Sequence, residues 1–260
     1  MPNSSHRPVN QPSDLEKLRH STAHLLAAAV LEIWPDAKPA IGPAIDDGFY
    51  YDFEFGQPVS ESDFPQIEQK MRQLGKDWSG FERREVSADE AKQQFPDNPY
   101  KQQLIDELAG EGQTISLYQS GGFVDLCRGG HVGTPAAEIK HFQLLSVAGA
   151  YWRGDEHNPM LTRIYGTVWP SQAELDDYLE RQQQAKLRDH RRLGQELELY
   201  FIDDLVGKGL IMWLPKGQII KDEIERLVKE MEAEAGYLRV TTPHIARQEL
   251  FETSGHLPYY

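Results

Sequence analysis

Leu15, Leu18, Thr22, Leu25, Leu26, Ala29 and Ile33 recur at helical spacing and stop at Trp34-Pro35, and Ser13 followed by Glu16 has the spacing of a capping box. This pattern predicts a first helix with one apolar stripe. Asp46-Asp47-Gly48 signals a turn. Phe49, Tyr51, Phe53 and Phe55 then alternate with Tyr50, Asp52 and Glu54, the period of a strand with one buried face. Helical periodicity returns over 61–75 and 88–109. From Thr114 onward, short β-like runs (114–118, 122–126, 142–151 and 160–168) are separated by glycine-rich or polar breaks, among them a hairpin loop over Gly154 to Pro159. Helices packed on an antiparallel or mixed sheet predict an α+β domain over 14–170, preceded by a loose polar tail over 1–13.

Residues 171–193 are rich in Gln, Glu and Arg and nearly free of β-branched residues, which predicts an exposed connecting helix opening at Ser171. A second unit follows over 194–260. It runs through Leu197 to Ile202, a loop from Gly207 to Gly217, an amphipathic helix from Gln218 to Ala235 closed by Gly236, and a strand from Tyr237 to Thr242 before Pro243. Roughly 67 residues are too few for a large catalytic domain, so this unit reads as the start of one completed elsewhere.

Charge and composition narrow the picture. With 27 Lys and Arg against 41 Asp and Glu, the net charge of -14 excludes a polybasic arm as the main nucleic-acid device but leaves room for a local basic stripe. No apolar run approaches the roughly 20 residues of a bilayer span, and the first residues lack the apolar stretch of a secretory signal. The single Cys127 forbids an internal disulfide and fits a reducing compartment, so a cytoplasmic location is expected.

The candidate chemistry lies in two places. His20 and His24 share one helix face, roughly 160° from the apolar stripe, so the pair is expected to point away from the core. They are either two surface histidines or half of a ligand set. Cys127-Arg-Gly-Gly-His131 follows Gly121-Gly-Phe-Val-Asp125-Leu in a strand-and-turn setting. Together the four side chains could hold a tetrahedral zinc, or line a metal-free pocket in which imidazoles position water. A buried small Cys127 beside a hydrogen-bonded His131 is the purely structural alternative.

His20-Ser-Thr-Ala-His24, Ile41-Gly-Pro43, Asp47-Gly-Phe-Tyr-Tyr-Asp52, Tyr100-Lys101, Asp125-Leu-Cys127-Arg-Gly-Gly-His131, Gly149-Ala-Tyr-Trp-Arg-Gly154 and Arg163-Ile-Tyr-Gly-Thr167, in that order, resemble the editing domain of the threonyl-tRNA synthetases. The resemblance runs over 15–260. The helix before Gly236-Tyr237 and the segment leading to Pro243 are similar to the first class II motif, which in the family lies at a homodimer interface. With only about a dozen residues before the first helix, the ubiquitin-like module that opens many bacterial members is expected to be missing, as it is in some members, and the motifs that handle ATP are expected beyond Tyr260. The chain as given is therefore not expected to activate threonine. The full-length enzyme would attach threonine to tRNA(Thr) with ATP, magnesium and zinc.

A synthetase that accepts threonine must reject serine, which differs by one methyl group worth only about 1–3 kcal/mol. The resemblance implies a second, hydrolytic site that cleaves serine from mischarged tRNA(Thr). It implies that His20 and Lys101 place the water and stabilise charge, that His24, Cys127 and His131 complete the pocket with His131 near the leaving oxygen, and that Asp125 holds the serine ammonium or a ribose hydroxyl. Gly42 and Tyr51 would shape the adenosine pocket. Without the resemblance, Tyr51 reads equally as a core aromatic and Lys101 as a surface lysine. Related alanyl editing domains hold zinc on the same ligand pattern, whereas the bacterial threonyl branch implies hydrolysis without metal or other cofactor. For tRNA contact, Arg181, Lys186, Arg188, Arg191 and Arg192 form a candidate phosphate stripe, with helix-face ion pairing as the alternative. A freestanding trans-editing protein and an inactive tRNA-binding fragment are the competing readings.

Overall fold

The computed structural model describes residues 12–257. The tail expected over 1–13 falls outside them except for its last two residues. Two compact units divide after Arg181.

In the first unit, α1 (Asp14–Ile33) opens with the capping box, in which the Ser13 side chain accepts from the Glu16 amide and the Glu16 carboxylate accepts from the Ser13 amide. Then come β1 (Lys38–Pro39), β2 (Ala44–Ile45), β3 (Gly48–Glu54), α2 (Phe64–Gly75), β4 (Glu82–Glu85), α3 (Ala88–Gln94), α4 (Pro99–Gly110), β5 (Ser116–Ser120), β6 (Phe123–Leu126), α5 (Pro135–Glu138), β7 (His141–Tyr151) and β8 (Met160–Trp169). One antiparallel sheet has the order β1-β3-β8-β7, with β2 also on β3, and a smaller one has the order β4-β5-β6. The architecture is α+β, as expected. Tyr51 faces Ile164 across β3 and β8, and a register shift between Leu144 and Ser146 bends β7.

The core is centred on α1. The expected single stripe is too narrow, because Leu18 to Val30 are buried except for His20, which is half-buried. The helix packs against α2, β2, β3 and β8. Its remaining face meets the segment after β6, where the Val132 amide donates to the Ser21 hydroxyl at 3.1 Å. Full burial of Leu25, Leu26 and Val30 contributes about 1.5–3 kcal/mol each relative to exposure.

On β3, Phe49, Tyr51 and Phe53 face this core as the alternation predicts. Asp52, on the opposite face, is also buried because Arg163 grips it through Nε at 2.7 Å and Nη2 at 2.9 Å. The helical stretch expected over 88–109 breaks into α3 and α4. Pro99 opens α4, and the Asn98 side chain caps it by accepting from the Tyr100 and Lys101 amides, both at 3.1 Å. Strand β4, Glu-Arg-Arg-Glu, was not anticipated. It is an exposed edge strand with no apolar period to reveal it.

The segment expected as one connecting helix forms α6 (Gln172–Leu187) and α7 (His190–Glu196), because the Asp189 side chain accepts from the Arg191 amide and starts a new helix. In the second unit, β9 (Tyr200–Phe201) pairs with β10 (Met212–Trp213), and α8 (Pro215–Glu234) precedes α9 (Gln248–Thr253). Helix α8 begins earlier than expected and takes in Gly217, since Pro215 suits the first helical turn. Gly236, at φ +84°, closes it.

The strand expected over Tyr237 to Thr242 does not form. No described strand pairs with it, and without a neighbour its backbone groups have no ladder to join. Among the described residues, no helix is long and apolar enough to cross a membrane.

Candidate active site

Three elements bring the chemistry-bearing side chains together: the middle of α1, the start of α4, and β6 with the loop after it. The Asn98 cap also places Lys101, because Asn98 Nδ2 donates to the Pro39 carbonyl at 2.7 Å and ties α4 to β1. The surface reading of Lys101 fails, since its side chain is 2% exposed and pairs with Asp125 Oδ1.

Asp125 is the hub. Its Oδ2 accepts from Tyr51 Oη at 2.6 Å and meets His24 Nδ1 at 3.1 Å, while Oδ1 takes Lys101 Nζ and the Leu126 amide. A carboxylate offers about four acceptor sites, and these partners fill them. Burial alone would raise the Asp125 pKa, but Lys101 and His24 outweigh it and hold the carboxyl well below the usual range. Lys101 Nζ also reaches Tyr51 Oη at 3.2 Å. Tyr51 is thus a core aromatic, its ring stacked on Phe53 at 4.9 Å, and its hydroxyl joins the Asp125–Lys101 network.

The expectation that His20 and His24 point away from the core is corrected. His24 is 3% exposed, because Phe81, just before β4, and Phe123 and Asp125 of β6 close over the face of α1 opposite its apolar stripe. His24 Nδ1 faces Asp125 Oδ2, and its Nε2 lies 3.2 Å from His20 Nε2. Cys127 Sγ lies 3.4 Å from His131 Nε2 and accepts from the Gly129 amide at 3.4 Å. The His131 ring stacks on Phe81 at 4.0 Å and on His20 at 4.8 Å.

Burial, reinforced by neighbouring imidazoles, lowers His20 to about 4 and His131 to about 2. Both rings are therefore neutral at pH 7. Burial likewise pushes the Cys127 thiol up to about 12, so it is protonated there.

A cavity of about 540 Å³ opens on this cluster, lined by His20, His24, Gly42, Lys101, Asp125 and Cys127 among others. Gly42 must be glycine, because a Cβ there would fall 2.1 Å from Tyr51 Cδ2. Tyr51 and His131 stand behind the wall rather than on it. One ligand atom from each of His20, His24, Cys127 and His131 lies within 4.8 Å of the others, so the set fits a tetrahedral N/S cation site.

The basic residues lie elsewhere. Arg181 and Lys186 are on α6, Arg188 follows it, and Arg191 and Arg192 are on α7; all five are exposed. Arg191 pairs with Asp189 and Arg192 with Glu196. The residues that sequence reasoning missed are aromatic supports: Phe81, and Tyr118, whose ring meets His131 at 4.6 Å. Neither sits in a motif. Phe81 abuts the unanticipated β4.

Residues 115–165 match the family described as the threonyl and alanyl tRNA synthetase second additional domain. The chain is 49% identical over 253 residues to a threonine-tRNA ligase of Rubrobacter xylanophilus, covering 97% of this chain and 39% of that protein. It is also 49% identical over 248 residues to one of Dehalococcoides mccartyi (95% and 42%), and 49% identical over 246 residues to one of Staphylococcus carnosus (95% and 38%). The chain spans about two-fifths of the length of these curated relatives. Along that span it belongs with the threonyl-tRNA synthetases and carries the additional domain that they share with the alanyl enzymes.

Proposed function

We propose that the first unit hydrolyses the ester of serine mischarged onto tRNA(Thr), as the editing portion of a threonyl-tRNA synthetase. The observation that carries this reading is the convergence of His20, His24 and Cys127 with a buried Lys101–Asp125 pair on one open cavity. Residues from sites far apart in the sequence meet where an ester could enter.

In this reading a water attacks the ester carbonyl. His20, with a pKa near 4, is a weak base, suited to orienting that water rather than keeping its proton. Two of the three Lys101 donors are taken by Asp125 and Tyr51, which leaves one N–H for the developing oxyanion. The carbonyl–oxygen bond to the ribose then breaks, and the water's proton passes to the departing ribose oxygen.

Asp125 acts as a positioning residue for Lys101 and His24, because its acceptor sites are full; this departs from the substrate contact that the resemblance implies. His131, behind the wall, holds His20 by stacking and Cys127 by hydrogen bonding rather than meeting the leaving oxygen.

The four N/S side chains would hold a zinc ion, which when bound would supply Lewis-acid activation of water. We favour hydrolysis without it, supported by the fixed cation of Lys101, which already supplies positive charge beside the cavity. The tRNA is the partner that family membership implies. The five exposed basic residues, 181–192, are proposed as its phosphate contacts, and residues 194–260 as the start of a class II catalytic domain that dimerises and uses ATP and magnesium when complete. A cytoplasmic location goes with this reading.

The test compares deacylation of seryl-tRNA(Thr) and threonyl-tRNA(Thr), with and without a strong chelator. Serine-selective, chelator-resistant hydrolysis is expected. Absence of hydrolysis above background sinks the reading, and loss on chelation overturns its metal-free form.

A further inference from the structure

A second cavity of about 320 Å³ adjoins the first. Ile41, Leu104, Leu126, Cys127 and Arg128 line both, so the two are ends of one trough. The second end has an apolar wall, Leu104, Leu108 and Leu126, with Glu107 and Glu111 among the residues around it.

Three cations line the trough. Lys101 is committed to Asp125, and Arg153 is paired with Glu107. Arg128, exposed at the junction, takes no ion-pair or hydrogen-bond partner among the described residues. In a chain of net charge -14, it is the cation left open to an anion at this point.

We propose that the second cavity receives the nucleoside preceding the terminal adenosine of the esterified RNA, and that Arg128 grips the phosphodiester between the two. This inference rests on the editing reading. With the acyl group beside His20 and its adenosine in the first cavity, the RNA must leave through one phosphodiester. The guanidinium fork is the matching donor at the junction. An apolar wall takes a base face, and a carboxylate such as Glu111 can accept from an exocyclic amino group, as on cytosine. The same carboxylates repel phosphate, which fixes the direction of the chain: base over the leucines, phosphate at Arg128.

The test uses two non-hydrolysable probes, 3′-serylamino-3′-deoxyadenosine and its 5′-cytidylyl dinucleotide, with Kd measured by calorimetry for the wild-type protein, Arg128→Ala and Thr114→Trp. Thr114 is exposed at the second cavity, so the indole fills that space with little risk to folding, and thermal melting checks both variants. The dinucleotide should bind the wild type at least about tenfold more tightly than the mononucleoside, the scale of one charge-assisted contact. Each substitution should erase most of that advantage and leave mononucleoside affinity unchanged.

Equal affinities in the wild type, or an advantage that survives both substitutions, overturn the proposal while the editing reading stands. Failure of both probes to bind overturns the editing reading and this inference with it.

Discussion

Lys101 and Asp125 form an ion pair in which the two side chains are only 2% and 3% exposed, although one opens α4 and the other belongs to β6. A buried pair is costly to split, because removing one partner strands a charge away from water. Lys101→Met or Asp125→Leu alone should lower stability by about 3–5 kcal/mol in urea titrations, while the double substitution should recover much of that loss. Deacylation should stay absent in all three. A double variant no more stable than the singles would mean that the pair is not the unit of stability.

Gly42 and Tyr51 pack too closely for any side chain at 42. Gly42→Ala should push the Tyr51 ring, loosen its 2.6 Å bond to Asp125, and cost about 1–3 kcal/mol together with most of the activity. Tyr51→Phe keeps the ring and removes only the hydroxyl. It should cost about 1–3 kcal/mol, and its crystal structure should show Lys101 and Asp125 still paired.

Stability should depend on acid in a defined direction. In the metal-free protein, His20 and His131 have folded pKa values of about 4 and about 2, below the ordinary 6.5. Their contribution is complete above pH 6.5 and is lost as pH falls, down to about 4 for His20 and about 2 for His131, because the unfolded chain then binds protons that the fold refuses. Each ring should add a slope approaching about 1.4 kcal/mol per pH unit in that window. Urea midpoints at pH 7.5, 5.5 and 4.5 read this, and His131→Asn should flatten the slope.

Cys127 is held as a thiol near 12, so it should alkylate with iodoacetamide at pH 8 far more slowly than free cysteine. Mass spectrometry of a time course measures the rate. Labelling as fast as free cysteine would place the sulfur in a different environment.

Replacing Arg188, Arg191 and Arg192 together by Glu should weaken tRNA binding and flatten its dependence on salt, by up to one unit of slope per lost phosphate contact. Filter binding between about 50 and 200 mM salt tests it. Unchanged binding would leave these side chains with the ion pairs that Arg191 and Arg192 already make.

Local rules in the chain determined the elements whose signals are local: the capping box that opens α1, the alternation of β3, and the β7–β8 hairpin around Gly154 to Pro159. Residue type offered His20, His24, Cys127 and His131 as one set of donors beside the alternative of surface histidines and a buried structural cysteine, and only the fold brought the four together. The tertiary structure alone decided burial and partnership. Helical periodicity placed His24 on the solvent side of α1, and Phe81, Phe123 and Asp125, from chain far along the sequence, covered that side. Lys101 read as a surface residue until Asn98 turned α4 toward β1 and Asp125 met it from β6. The expected strand over Tyr237 to Thr242 shows the converse, since β propensity is local but a strand exists only with a neighbour to pair with. Burial and pairing are properties of what stands opposite, and that is set by chain far away in sequence.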